Sequence, residues 1–422
     1  MTDFKFIHAA DIHLDSPLRG LQKYEGAPVD FIRSATRKAF QNLVDYCLSE
    51  KVDFLLIAGD IYDGDWKDYN TGLFFASQMS RLNKEGIEVF IVKGNHDAAS
   101  QISRQLRLPD NVTVFSADKA ETGKINGLRV AVHGQSFASQ SVTVDLSRNY
   151  PQKVEGCFNI GILHTCANGR EGHDSYAPCD TDYLVGKGYD YWALGHIHNR
   201  EIISEDPYIV FSGNIQGRNI REKGAKGCTL VKVREGDIID VHHKDLDVLR
   251  WSLLEVDLTG MEREEEIMRE VSLHLEKLVS DSQNRYLVVR IVLTGKTMLH
   301  RELRLRVDEF INNIRMQGID ISADTLWIEK IKIVTKGLAH RQKLLNYPPT
   351  ASLIEFIDNL PLKEELIEEL LKDIEDFKTS LPSDFFSNAE SILNSEDPVK
   401  ELLPDISDVL VTRILASFSE ED

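Results

Sequence analysis

Five short segments of the chain set Asp, Asn or His directly behind apolar runs: Asp11-Ile12-His13, Gly59-Asp60-Ile61-Tyr62-Asp63, Gly94-Asn95-His96-Asp97, Leu163-His164 and Gly195-His196-Ile197-His198. Along an extended chain, residues two apart point the same way, so the D-x-H and H-x-H pairs each aim two ligand atoms at one place. Carboxylate, imidazole and amide oxygen, without thiolate, suit intermediate divalent cations such as manganese, iron or zinc. A single D-x-H arises by accident in a chain of this length; five such segments in this order do not. Acids and imidazoles crowded together with no cation between them would repel or stay unpaired.

The elements that must position these segments follow from the apolar pattern. Runs at 5–10, 52–58 and 87–92 predict strands, the second of them buried on both faces. Between them, 31–50 has helical spacing, with Ala35, Ala39, Phe40, Leu43, Val44 and Cys47 on one side. The stretch 69–84 repeats that spacing with Leu73, Phe74, Ala76, Met79 and Leu82. Strand alternating with helix implies right-handed crossovers and a largely parallel sheet. Its strand C-termini would gather the ligand-bearing segments at one edge. From about residue 111, shorter connections join runs at 112–115, 128–133, 158–163, 189–194, 208–211 and 228–233, which suits a second, mixed sheet packed on the first.

The expected fold class is therefore α/β, a four-layer sandwich of two mixed β-sheets flanked by helices, over residues 1–245. Residues 246–337 predict a small α+β domain, with strands at 251–258, 286–293 and 326–334 and helices at 264–279 and 299–316. Beyond Pro348-Pro349, the segment 338–422 reads as an acidic helical tail. Leu366, Leu370, Phe377 and Leu381 mark one apolar stripe, and Leu403, Leu410, Ile414 and Phe418 another.

A formal charge of −19 would oppose a nucleic-acid partner if it were spread evenly. Instead, residues 340–422 hold 7 Lys/Arg against 19 Asp/Glu, a net of −12, which leaves −7 for the other 339 residues. Several of those remaining acids are candidate ligands, whose charge bound cations would cancel. Cys47, Cys157, Cys166, Cys179 and Cys228 are odd in number, widely spaced and free of C-x-x-C pairs. That argues against a disulfide framework or a structural zinc site, and for a reducing cytosol. No apolar run nears the roughly 20 residues of a membrane span, and Met1-Thr2-Asp3-Phe4-Lys5 opens no signal-peptide pattern. A cytoplasmic location without membrane contact is the expectation.

The order D-x-H, G-D-x-x-D, G-N-H-D, H and G-H-x-H resembles that of the calcineurin-like metallophosphoesterases. Within them, the chain is similar to the SbcD-type DNA double-strand-break repair nucleases, and to their YhaO branch. The motifs lie between residues 11 and 198; the α+β domain matches that family's capping domain by architecture alone. Carried over by motif position, the resemblance implies one cation held by Asp11, His13, Asp60 and His198. A second would be held by Asp60, Asn95, His164 and His196, with the Asp60 carboxylate bridging. Two divalent ions about 3.5–4 Å apart, manganese in the first instance, with iron or zinc as alternatives, activate water and clamp the phosphate. His96 is implied as the residue that stabilises the transition state or protonates the leaving oxygen. For Asp97, two roles stand side by side: orienting His96 or capping its loop. Where strand-break-repair relatives often carry His, this chain has Asp63, which leaves the balance of exo- and endonucleolytic cleavage open.

The resemblance also implies DNA as substrate, a homodimer, and an SbcC-like coiled-coil ATPase of the YhaN type as partner, docked on the acidic tail. His173, in a Gly-containing loop after His164, is a candidate contact for substrate phosphate. Arg218 and Arg221, beyond the Ser212-Gly213-Asn214 turn, are others, since Arg grips phosphate bidentately. Lys296, Arg301, Arg304 and Arg306 read either as a helix's solvated face or as further phosphate contacts. His133 reads as a core or loop residue, and His242-His243 as surface. The leading function is a metal-dependent DNA phosphodiesterase, a repair exonuclease. A phosphatase or cyclic-nucleotide phosphodiesterase of the same superfamily is the first alternative. The G-D-x-V-D-R-G run of protein phosphatases is missing, Asp63 being followed by Gly64-Asp65. A non-catalytic scaffold is the second alternative, but such chains lose ligands first, and all seven positions are filled.

Overall fold

The computed structural model describes residues 3–16, 27–63, 69–99, 107–125, 127–167 and 177–337, together with 352, 355, 371 and 372. The apolar stripes expected in the tail lie outside the described residues, and so does His173. The chain opens with β1 (Phe4–Ala9), α1 (Val29–Glu50), β2 (Phe54–Ala58), α2 (Tyr69–Lys84), β3 (Glu88–Val92), α3 (Asn95–Ala99) and β4 (Val112–Val114). There follow β5 (Glu121–Lys124), β6 (Val130–Gly134), β7 (Phe158–His164), α4 (Thr181–Gly186) and β8 (Tyr191–Gly195). Four more strands come next: β9 (Glu201–Glu205), β10 (Tyr208–Phe211), β11 (Gly227–Arg234) and β12 (Asp237–Asp245).

Two six-stranded mixed sheets result, ordered β12-β11-β1-β2-β3-β4 and β5-β6-β7-β8-β10-β9. In the first, β1 to β4 run parallel, while β11 and β12 join antiparallel at one edge. In the second, β6, β7, β8 and β10 run parallel, with β5 and β9 antiparallel on the outside. The sheets face each other across an aromatic core. Phe6 and Phe54 stack at 4.9 Å, Phe4 meets Phe158 edge-on at 5.4 Å, and Phe6 meets Tyr191 edge-on at 5.2 Å. Buried His8 ties the two sheets as well, with Nδ1 3.1 Å from the Tyr191 hydroxyl and Nε2 3.2 Å from the Leu194 carbonyl. Burial lowers its pKa to about 3, so the ring sits in the core uncharged.

The outer layers are set by helical periodicity. In α1, buried Ile32, Ala35, Thr36, Ala39, Phe40, Leu43, Val44 and Cys47 recur every three to four residues. Of these, Ala39, Phe40, Leu43, Val44 and Cys47 pack with Phe75, Met79 and Leu82 of α2 against the first sheet. The far face of the second sheet is covered by Leu146, Tyr150 and Leu184 over Trp192. The fold is thus the expected four-layer sandwich.

Two expectations of detail need correction. Strands β5, β9 and β12 lie outside the expected runs, because each is half-exposed and carries charges that mask the alternation of an edge strand. The single helix expected at 299–316 is two, His300–Leu305 and Val307–Ser322, broken at Arg306, whose backbone leaves the helical region at φ −115° and ψ 34°.

The described residues of 1–254, with 272–291 and 315–331, form one compact unit; 255–271, 292–314 and the described residues from 332 on form another. A three-stranded sheet is ordered Leu249–Asp257, Tyr286–Thr294, Leu326–Ile333. Within the first unit, Leu249, Trp251 and Val288 pack with Ile32 and Ala35 of α1. Within the second, Arg306 pairs with Glu264, Glu302 and Glu309, which makes it part of a surface ion network.

If the aromatic seam between the sheets holds the sandwich, Phe54→Ala lowers unfolding stability by about 3–5 kcal/mol, the range for emptying a buried Phe site. A denaturant titration reads this directly; a midpoint unchanged from wild type would contradict the packing described.

Candidate metal centre

Every ligand-bearing segment sits just past, or at, the C-terminal end of a strand. Asp11 and His13 follow β1, Asp60 follows β2, Asn95 begins α3 after β3, His164 ends β7, and His196 and His198 follow β8. Four of these residues adopt a left-handed backbone rare for side-chain-bearing residues: Asp11 (φ 51°), His13 (47°), Asp60 (53°) and His196 (98°). Such conformations cost of order 1–3 kcal/mol each and persist where surroundings over-determine them. Backbone bonds provide that constraint here. Asp11 N–H donates to Gly59 O and His13 N–H to Asp60 O, both at 3.0 Å. The His196 N–H lies 3.0 Å from both Asp11 carboxylate oxygens. Gly94 is required by space, since a Cβ there would overlap the Asp60 carboxylate and the His164 ring.

These ends bring seven donors together. His13 Nε2 lies 3.3 Å from His198 Nε2 and 3.9 Å from Asp60 Oδ2. On the other side of the same oxygen, His164 Nε2 stands 3.4 Å away, and it is 3.0 Å from Asn95 Oδ1. Ligand atoms of Asp11, His13 and His198 lie within 4.8 Å of one another, and those of Asp60, His164 and His196 do the same. A third trio, His13, Asp60 and His96, shares that spacing. All seven implied ligands are buried except His198, which is partly so.

The donors fit divalent cations. His164 Nδ1 is 2.9 Å from the Ala58 carbonyl, which takes its N–H and leaves Nε2 as the lone pair facing Asn95 and Asp60. His198 Nδ1 is likewise 2.8 Å from Glu222 Oε1. Two imidazole Nε2 atoms 3.3 Å apart beside a carboxylate are the arrangement a positive ion between them would satisfy.

The electrostatics agree. Burial, followed by the nearby Arg218 charge, lowers the His13 pKa to about 3, which keeps the ring a neutral donor. Burial would raise Asp60, but His164 first and then His13 and His96 outweigh it and hold the carboxyl ionised. For His164 burial acts downward, yet the Asp60 and Asp11 charges carry it up to about 9. Bound cations would displace that proton.

His96 stands at the open side, its side chain 36% exposed. Its N–H donates to Asp60 Oδ1 at 3.0 Å, and its ring Nδ1 lies 2.9 Å from Asp63 Oδ1. Burial opposes the charged ring, but the Asp63 hydrogen bond and the Asp60 charge prevail and raise its pKa. Asp97 takes the second of its two expected roles. Its Oδ1 accepts from the Ile61 and Tyr62 N–H groups at 2.9 and 3.0 Å, and Oδ2 from Gly94 N–H at 3.1 Å. It clamps the loops after β2 and β3 together; the carboxylate on the His96 ring is Asp63's.

Arg218 also reaches the site, but its guanidinium is turned on protein carboxylates. Nη2 is 2.8 Å from Glu222 Oε1, and Nη1 3.7 Å from Asp63 Oδ2. Arg221 is exposed, its backbone N–H on Asn219 Oδ1. His133 is a core residue, bonded to Thr122 and Asn159 and stacked on Tyr189. Sequence reasoning missed Glu222 and the partners of Asp63, which include Ser16 Oγ at 2.5 Å. No motif marks either contact.

A model of the calcineurin-like phosphoesterases matches residues 4–200, and one for the middle domain of metallophosphoesterase YhaO matches 251–336. The chain belongs to the calcineurin-like metallophosphoesterases, a hydrolase family with a dinuclear metal centre. Within that family it is 34% identical over 373 residues to an uncharacterized metallophosphoesterase YhaO of Bacillus subtilis, covering 87% of this chain and 90% of the relative. It is 24% identical over 409 residues to the DNA double-strand break repair protein Mre11 of Sulfurisphaera tokodaii, covering 89% and 98%. To the same-named protein of Methanopyrus kandleri it is 25% identical over 293 residues, covering 63% and 62%.

The raised His164 pKa sets a pH dependence for the metal-free chain. A histidine lifted from 6.5 to about 9 on folding adds stability that is full below 6.5 and lost as pH rises through 9. Melting temperature measured in excess chelator should therefore fall between pH 6.5 and 9, and saturating manganese should flatten the decline. A metal-free chain that gains stability across that range would contradict the Asp60–His164 pairing.

Proposed function

We propose that this protein is a metal-dependent phosphodiesterase acting on DNA, an exonuclease in strand-break repair. The observation that carries the reading is Asp60 Oδ2, set between His13 Nε2 at 3.9 Å and His164 Nε2 at 3.4 Å. In this reading Asp11, His13, Asp60 and His198 hold one cation, and Asp60, Asn95, His164 and His196 the other. When bound, such a pair lowers the pKa of water and neutralises phosphate charge in in-line displacement. Manganese is the proposed metal.

The chain's own residues do the rest. His96 keeps a proton on its ring through Asp63 and offers it to the leaving oxygen of the scissile ester. Asp97 holds the two loops that carry Asp60 and His96 in register. DNA as substrate is supported by the relatives named for double-strand break repair. A small-molecule or cyclic-nucleotide diester is the competing substrate, because the ligand geometry serves either. The proposal includes a homodimer and an SbcC-like ATPase partner of the YhaN type, with residues 338–422 as docking segment, and a cytoplasmic location. No helix among the described residues is long and apolar enough to cross a membrane.

A manganese-dependent assay on end-labelled duplex DNA, beside a small chromogenic diester, separates the substrates. Shortening of the labelled DNA is expected; turnover of the diester alone would move the protein to small-molecule chemistry, and neither activity, with partner supplied, to a scaffold. His96→Ala should retain bound metal while kcat falls about 10²–10⁴-fold, the range for a lost proton donor. Metal content falling in step with activity would show that His96 is a ligand instead.

A further inference from the structure

Glu222 lies 24 positions beyond His198 and belongs to none of the ligand motifs, yet it is 6% exposed and reaches the metal centre from behind. An ionised carboxylate at that depth needs partners. Its Oε2 accepts from Asn214 Nδ2 at 2.9 Å and from the Arg218 backbone N–H at 2.8 Å. Its Oε1 accepts from Arg218 Nη2 at 2.8 Å, with Arg218 Nε 3.3 Å from both oxygens. That leaves one further approach to Oε1, and His198 Nδ1 occupies it at 2.8 Å.

We propose that Glu222 is the positioning residue for His198. It holds the proton on Nδ1, and so presents Nε2 as the lone-pair atom beside His13. The inference rests on the metal-centre reading of the seven donors. Arg218 Nη2 also lies 3.4 Å from His198 Nδ1, a contact that would need Nδ1 to accept. The 2.8 Å contact to a carboxylate is the shorter and the charge-assisted one, and it decides the tautomer. Lys226 Nζ, 2.9 Å from the His198 carbonyl, fixes the backbone of the same residue. Ring and main chain of this ligand are thus both held by the segment 214–226. His164 needs no such side chain, because the Ala58 carbonyl does the same work for it. The two halves of the centre therefore differ in how their imidazoles are oriented, and only one depends on Glu222.

That asymmetry is testable with manganese alone. In full-length Glu222→Gln, an amide replaces the carboxylate without changing size, and it cannot accept from all the donors that Glu222 serves. Calorimetric titration in competition with a chelator should show one of two ions weakened about 10–100-fold, the effect of removing a partner behind a ligand. The other ion should keep its wild-type affinity, and in a His198→Ala background the substitution should add nothing. Unchanged affinities, equal loss of both ions, or a loss that adds to His198→Ala would overturn the proposal. Should the wild-type chain bind no manganese, the metal reading itself fails. Ring ¹⁵N resonances of His198 in the full-length protein then decide the positioning alone: Nδ1–H supports it, Nε2–H overturns it.

Discussion

One carboxylate oxygen stands where the two sheets meet. Asp60 Oδ2 faces His13, from the end of β1, on one side and His164, from the end of β7, on the other. Its second oxygen takes the His96 N–H from α3, which follows β3. A group so placed draws in every neighbour: it raises His164 and His96 and is itself kept ionised by them. The rest of the fold reads as the apparatus that keeps this oxygen in position. The aromatic seam fixes the distance between the sheets, and the parallel strands deliver their ends to one edge.

The strain at the site has the same origin. Asp11, His13, Asp60 and His196 take left-handed backbones just past strand ends, where their ligand atoms come close together. Hydrogen bonds from the Asp11, His13 and His196 N–H groups to Gly59 O, Asp60 O and the Asp11 carboxylate constrain those conformations. Cation binding to the folded chain alone would offset the strain by mass action. The centre is then a place where local backbone preference yields to a charge arrangement useful only when loaded.

Much of this was legible in the sequence, for identifiable reasons. Ligand pairs such as Asp11/His13 and His196/His198 are local in spacing, and the apolar runs before them announce strands. The order of motifs carried the family and the four layers. What stayed hidden depends on contacts between distant residues. Glu222 is an unremarkable acid until it meets His198, and the carboxylate on the His96 ring, for which only Asp97 was a candidate in sequence, is Asp63 once the loops are folded. Arg218 looked like a phosphate ligand because its fork suits one; in the fold that fork grips Glu222 and faces Asp63. Edge strands β5, β9 and β12 escaped because their charged and polar residues leave too few apolar positions to show a strand's alternation.

Bridging by the Asp60 carboxylate would join two ions into a single centre. Metal content by elemental mass spectrometry, on manganese-loaded wild type beside Asp60→Ala, tests it most directly. Two ions per wild-type chain and none held tightly by the variant are expected. A variant that keeps one tightly bound ion would contradict the bridge.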